Sequence, residues 1–323
     1  MNNNQLIIST LQKKIADTLK PHLKGRKVII VDAPYYKNIG DVLIWEGELQ
    51  FMNSIGATIL GSYSRHTFNF HSLDPQTIIL FNGGGNLGDI YPEHMLFLRK
   101  IISKYPDNKI IIFPQTVYYK NENTLSKELF FLSKHKHIIF CTRDFRSYNT
   151  VSRFFGIQRT LCLPDMAFCI DITKFINFDL TPCKGTLNIL RTDCEKNKVN
   201  FNNIINCTQQ RDDLTQDWPT FTTKFDKSYF YNTIYDRLYR YLPFKNFIGP
   251  LWDKYAYKHF RLNMINVGIK FISSFYTVRS ERLHGAILSI LLGKQVLIID
   301  NSYGKNKDFY NTWLKDCKNV KIL

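Results

Sequence analysis

The chain reads as an α/β protein made of two Rossmann-like domains, and three features of the sequence carry that reading. Apolar runs of four or five residues recur, each ending in a polar or glycine-rich cluster, as buried parallel strands do where they feed loops along one rim. A strand–turn–helix–strand unit lies between Lys270 and Asp300. The length of 323 residues is large for one core, and composition shifts between about 172 and 184, where a linker is expected. The expected division is residues 1–175 and 184–323, with the last helix placed to pack back on the first domain.

Taken in order, Leu6, Ile7, Leu11, Ile15, Leu19 and Leu23 fall mostly at four-residue steps and mark one face of a helix that Pro21 is expected to end. Residues 27–32 form a strand, followed by the loop Asn38-Ile39-Gly40-Asp41 and a helical stripe of Val42, Leu43, Trp45, Leu49 and Phe51. Residues 57–61 offer the next strand. Residues 77–81 lead into Gly83-Gly84-Gly85-Asn86, where three glycines let backbone N–H groups approach a ligand. The run lacks both the dinucleotide fingerprint and a P-loop lysine. Residues 110–113 end at Pro114-Gln115, residues 137–141 at Arg143-Asp144, and Leu163-Pro164-Asp165 adds a fifth such end.

Beyond the linker, residues 186–190 open a new strand closed by Arg191-Thr192-Asp193-Cys194-Glu195. The stretch 196–245 resists assignment, and a basic, aromatic segment from Trp252 to Arg261 is expected to be a helix that extends its lysines to solvent. Residues 270–278 read as a strand from their β-branched and aromatic content. Arg282 and His284 follow, at the start of a short buried helix that Gly293 stops. Free N–H groups and the helix dipole make that point an anion site, suited to a phosphate or carboxylate. Two such domains with loops facing each other across a cleft describe a GT-B-like architecture.

The formal net charge of +16 favours anionic partners, whether a membrane surface or phosphorylated molecules. No nucleic-acid motif accompanies it, so nucleic acid is not expected. No apolar run is long enough to cross a bilayer, and the first residues show no signal-peptide pattern, so a cytoplasmic protein is expected, peripheral at most to the inner membrane face. Seven scattered cysteines without a Cys-x-x-Cys fit free thiols in a reduced compartment. No His/Cys cluster has metal-site spacing, and no metal is expected.

Asn38-Ile39-Gly40-Asp41, Gly83-Gly84-Gly85-Asn86, Pro114-Gln115, Arg143-Asp144, Pro164-Asp165, Arg191-x-Asp193-x-Glu195 and Ser280-x-Arg282-Leu283-His284, in this order, resemble the polysaccharide pyruvyl transferase family. The likeness runs from about 28 to 305; residues 196–270 carry little of it, and Lys37 stands where a glycine often precedes the first motif. The resemblance implies transfer of pyruvate from phosphoenolpyruvate to a sugar of a capsular or exopolysaccharide precursor as a cyclic ketal, on a GT-B-like fold. Phosphoenolpyruvate is then a donor substrate, and no cofactor is expected. It also implies donor binding by Arg191, Arg282 and His284. The chemistry needs an acid for C3 and a base for the hydroxyls. His284 is the candidate acid, and Asp41, Asp165 and Glu195 are the candidate bases. Asn38, Asn86, Gln115, Arg143 and Lys305 are candidate contacts to the sugar acceptor, which in a lipid-linked form would meet the protein at an anionic membrane. Two alternatives stay open: a GT-B glycosyltransferase using a nucleotide sugar, and a non-catalytic glycan-assembly protein.

Overall fold

Alternating apolar strands and amphipathic helices build two sheets, and every strand pair in them is parallel. The computed structural model describes residues 3–176, 184–197, 212–222 and 227–323. The first sheet contains β1 (Lys27–Val31), β2 (Thr58–Tyr63), β3 (Ile78–Phe81), β4 (Gly84–Gly88), β5 (Ile110–Tyr118), β6 (Ile138–Thr142) and β7 (Thr160–Cys162). Their order is β2-β1-β3-β5-β6-β7, with β4 paired to β5. The second sheet contains β8 (Lys184–Ile189), β9 (Leu214–Gln216), β10 (Phe275–Ser280), β11 (Gln295–Ile298) and β12 (Val320–Ile322), in the order β12-β11-β10-β8-β9.

Both orders reverse direction once, at β1/β3 and at β8/β10. In open parallel sheets the crevice outside such a switch point is where ligands bind. Strand alternation sorts the core. Val28 and Ile30 of β1 face one apolar cluster, Ile29 and Val31 a second. The first cluster also takes in Leu187 and Ile189 of β8 and Val278 of β10, so its apolar contacts join residues of both sheets.

Five helices accompany the first sheet: α1 (Asn3–Leu23), α2 (Ile39–Ser54), α3 (Pro92–Lys104), α4 (Glu122–Ser133) and α5 (Phe145–Phe155). Leu11, Ile15, Leu19 and Leu23 of α1 are buried, as the four-residue stripe requires. Pro21 does not stop this helix, which runs on to Leu23; a proline near a C-terminus breaks few hydrogen bonds. Helix α2 is buried along almost its whole length and packs against the helices Arg261–Ser273 and Leu283–Leu291. The final helix Lys305–Phe309, continued by a π-helical turn Tyr310–Leu314, reaches residues of the first sheet. There the Trp313 indole N–H donates to the carbonyl of Arg143 at 2.8 Å, and Phe309 stacks on Phe168.

Two local expectations give way. Residues 270–278 are not one strand: a helix runs to Ser273 and β10 begins at Phe275. Met264, Ile265, Gly268, Ile269 and Ile272 are its buried face, a helical spacing that continues into the β-rich composition. The triple glycine, by contrast, keeps its place at a strand end, with Gly84–Gly88 forming β4 and Gly85 lining a cavity. Strand β5 does not end at Phe113 but passes through Pro114 to Tyr118, with a register shift between Ile112 and Gln115 that accommodates the missing N–H. The segment Trp252 to Arg261 is helical, with Trp252 and Phe260 buried and Lys258 exposed. The middle of the expected linker, residues 177–183, lies outside the described residues, as do Cys183 and Cys207.

Candidate active site

The carboxyl ends of both sheets converge on one cavity of about 340 Å³. Its lining carries six Lys or Arg side chains against four carboxylates, with His94 and His284 between them.

The second sheet contributes the arginines. β10 ends at Ser280, whose Oγ donates to the Arg282 carbonyl at 2.7 Å and accepts from the Arg282 N–H at 3.1 Å. This turn makes Arg282 the N-cap of the helix Leu283–Leu291 and leaves His284 in its first turn. The Arg282 fork is held by Asp217, through Nε to Oδ1 and Nη2 to Oδ2, the latter at 2.7 Å. Its Nη2 also reaches Asp193 at 3.1 Å, and Phe221 lies against the guanidinium. Arg191, at the end of β8, forks onto Asp193 at 2.8 and 2.9 Å and reaches Glu195 at 3.1 Å. Among the described residues neither guanidinium uses its Nη1 in a hydrogen bond, so each keeps one donor edge available to a ligand. Burial works against the charge of Asp193 and Asp217, but the arginines override it and hold both carboxyls below the usual range.

Glu195 collects Lys305 Nζ, Tyr303 at 3.0 Å, Tyr91 at 3.2 Å and Asn301 at 3.2 Å in addition to Arg191. Burial alone would raise it; Lys305 and Arg191 more than reverse this and hold it well below the carboxylate range. Lys305 is brought down to about 8, chiefly by burial, with Arg191 and Arg143 adding to it against the pull of Glu195. A carboxylate so saturated with donors is a weak base, which argues against the base role expected for Glu195.

The first sheet supplies the opposite wall. Asp165, after β7, caps the short helix Met166–Cys169 through Ala167 N–H and accepts from Arg143 Nη1 at 2.7 Å. His284 Nε2 lies 3.2 Å from the same Asp165 oxygen. Despite complete burial, His284 and Arg143 hold Asp165 well below the carboxylate range, so it too is a poor base and serves instead as an anchor for both side chains. Arg143 is 1% exposed and directed by Thr116 at 2.9 Å, so it meets a ligand only at its edge.

Two glycines explain why these groups come so close. A Cβ on Gly40 would fall 2.6 Å from His284 Nδ1, and one on Gly85 would fall 2.8 Å from Arg143 Nη2. Asn38 caps α2 through Gly40 N–H and donates to Asp41 at 2.9 Å, while Tyr36 donates to the same Asp41 oxygen and receives Asn86 at 3.2 Å. Asn38, Asp41 and Asn86 all line the cavity. Gln115 does not. It sits mid-strand, 1% exposed, and donates to the Asn82 carbonyl at 2.7 Å, so it braces the turn after β3 rather than facing the sugar.

The family profile for polysaccharide pyruvyl transferase matches residues 38–303, a span that includes every one of these motifs. The chain belongs to the polysaccharide pyruvyl transferase family. A Bacillus subtilis (strain 168) relative named "Putative pyruvyl transferase EpsO" is 31% identical over 100% of this chain and 96% of its own length. "Pyruvyl transferase 1" of Schizosaccharomyces pombe is 25% identical, covering 95% of this chain and 75% of that protein. The crystal structure of a functionally uncharacterised Klebsiella pneumoniae protein shares the fold, with a TM-score of 0.67 at 20% identity over 97% of this chain and 98% of that one.

Within this transferase family fold the structure brings together Asp41, Asp165, Arg191, Glu195, Arg282, His284 and Lys305, drawn from both sheets. Sequence reasoning passed over Asp193 as a partner and missed Asp217, Tyr36, Tyr91, Arg65 and His94. Asp217 follows the three-residue strand β9, too short to be read from periodicity. No helix among the described residues is long and apolar enough to cross a membrane.

Proposed function

We propose that the chain transfers the enolpyruvyl unit of phosphoenolpyruvate to two hydroxyls of one sugar, giving a cyclic pyruvate ketal and inorganic phosphate. The observation that carries this reading is the pairing of two arginine forks, each with an available edge, beside an Asp165-backed histidine. Phosphoenolpyruvate has a carboxylate and a phosphate, and planar guanidinium edges suit both.

Arg191 and Arg282 hold the donor, and His284 delivers a proton to C3, making C2 electrophilic. A sugar hydroxyl oxygen bonds to C2 and loses its proton. The C2–O bond to phosphate breaks with its electron pair. The second hydroxyl then closes the ring, and its proton restores His284. The two hydroxyl protons balance the one gained by C3 and the one carried off by phosphate.

The two sheets are read as two GT-B-like domains, residues 1–175 and 184–323, with this cavity as their cleft. The acceptor is a precursor of a capsular or exopolysaccharide, met in the cytoplasm or at the inner membrane face. Release of phosphate from phosphoenolpyruvate, dependent on a glycan extract from a strain lacking the protein, tests the reading. Turnover of a nucleotide sugar in its place would favour a glycosyltransferase.

A further inference from the structure

The switch point of the first sheet holds a pair of residues that the donor chemistry leaves unused. The chain leaves β1 at Asp32 with φ of 66°, the only positive value outside glycine among the described residues. Backbone of this kind persists where the surroundings hold it, often at a working site. Asp32 Oδ2 lies 2.5 Å from Nδ1 of His94, in the first turn of α3, and both residues are about 95% buried. The other ring nitrogen, Nε2, is 3.2 Å from Arg65 Nη1. A guanidinium only donates, so Nε2 carries the lone pair and Nδ1 the proton. The carboxylate thereby fixes the tautomer and turns the basic nitrogen away from itself, as an orienting acid does in hydrolytic triads.

His94 and Arg65 line the same cavity as His284 and the two arginines. Arg65 also lies 3.6 Å from the half-exposed Glu93 and 3.9 Å from Asp32 Oδ1, an atom with no hydrogen-bond partner among the described residues. The ring is otherwise met edge-on by Tyr36, whose hydroxyl is tied to Asp41. Those are the charged and titratable groups facing it: Asp32, Arg65 and Tyr36, with Glu93 and Asp41 one contact further.

We propose that His94, positioned by Asp32, is the base that activates the attacking sugar hydroxyl. The inference rests on the pyruvyl-transfer reading. As the sugar oxygen bonds to C2, its O–H bond breaks and the proton passes to His94 Nε2, which Arg65 has released toward Glu93. The imidazolium then hands that proton to the departing phosphate. Arg143 engages Asp165, Lys305 and Arg191 engage Glu195, Tyr36 and Asn38 both donate to one oxygen of Asp41, and His284 is committed to C3, so His94 offers the basic lone pair of the cavity wall that none of these holds.

The test uses the purified full chain, radiolabelled phosphoenolpyruvate and a glycan extract from a strain lacking the protein. His94→Gln is expected to slow label transfer about 10²- to 10⁴-fold while donor affinity by calorimetry stays within about threefold and the melting temperature holds. Asp32→Asn spares the backbone, because asparagine also adopts positive φ. It should slow transfer without a matching loss of donor affinity, since the imidazole loses the carboxylate that fixes its tautomer and orientation. Both variants transferring within about threefold of the parent chain would overturn the proposal. So would donor affinity falling in step with transfer, or loss of fold in both variants, each of which marks a structural pair. No transfer by the unaltered chain would instead overturn the functional reading itself.

Discussion

His284 Nε2 meets an oxygen of Asp165 at 3.2 Å across 119 positions of sequence, joining the helix start of the second sheet to a strand end of the first. The same oxygen takes Arg143 at 2.7 Å, so one carboxylate sets the place of both the imidazole and the guanidinium.

The ring of His284 lies on Gly40, where a methyl group would sit 2.6 Å from Nδ1. Gly40→Ala is therefore expected to displace the imidazole at an overpacking cost of about 1–3 kcal/mol. Transfer should fall at least about tenfold, more than the change in donor affinity. Paired measurements of kcat and of donor Kd check this; equal losses in both would point to a general disturbance of the site.

Arg282→Lys keeps the charge and loses the fork. Buried Asp217 then loses one of two charge-assisted bonds, worth about 1.5–3 kcal/mol. Donor affinity should fall roughly ten- to a hundredfold, and chemical denaturation should show the lost stability. Activity within a factor of about two of the parent would remove Arg282 from the donor site.

Lys305 gives the cavity a pH limit. Its folded value of about 8 means that the charge is lost as pH rises through that value, leaving Glu195 with one cation fewer. Donor affinity should weaken between about pH 7.5 and 9. Lys305→Arg, charged throughout, should flatten that fall. Calorimetric titration across the range measures it, and a parent profile that is flat to pH 9 would exclude the effect.

Asp253 sets a stability limit elsewhere. Burial pushes it up to about 6, against hydrogen bonds from Thr67 at 2.5 Å and Tyr35 at 2.9 Å. Between the unfolded carboxyl value and 6 the folded chain binds more protons than the unfolded one, so stability falls as pH rises through that window. Asp253→Asn keeps an oxygen for both donors. It should raise stability at pH 7.5 by on the order of 2 kcal/mol, with little gain at pH 4, as read by thermal melts at the two values.

The net charge of +16 should act at a membrane surface through long-range attraction. Co-sedimentation with anionic vesicles should then weaken sharply between low salt and 1 M, where the screening length is about 3 Å. Binding that ignores salt, or no binding, would leave the charge without that role.

Much of this site was legible because parallel strands advertise their ends. Asp41, Asp165, Arg191 and Arg282 each follow an apolar run, and sheet topology alone carries them to one rim. What stayed hidden depends on distance and on weak local signals. Asp217 lies after a three-residue strand, and His94 sits in the first turn of α3, outside every motif. The partners that argue against Glu195 as a base, Tyr91, Asn301, Tyr303 and Lys305, are scattered over more than 200 positions. Gln115 failed for a different reason: a proline usually ends a strand, and here the register slips to let the strand continue.

Asp193 and Asp217 already occupy the arginine forks before any ligand arrives. An incoming anion therefore meets guanidinium charge that tethered carboxylates already share, and the open Nη1 edges are where it can add to them. On the pyruvyl-transfer reading, a donor with two anionic groups can reach both open edges at once and gain from the combined contacts. Free phosphate, with one group, should then bind more weakly than the donor. By sharing that charge, the resident carboxylates should tilt the site toward letting a one-group product go.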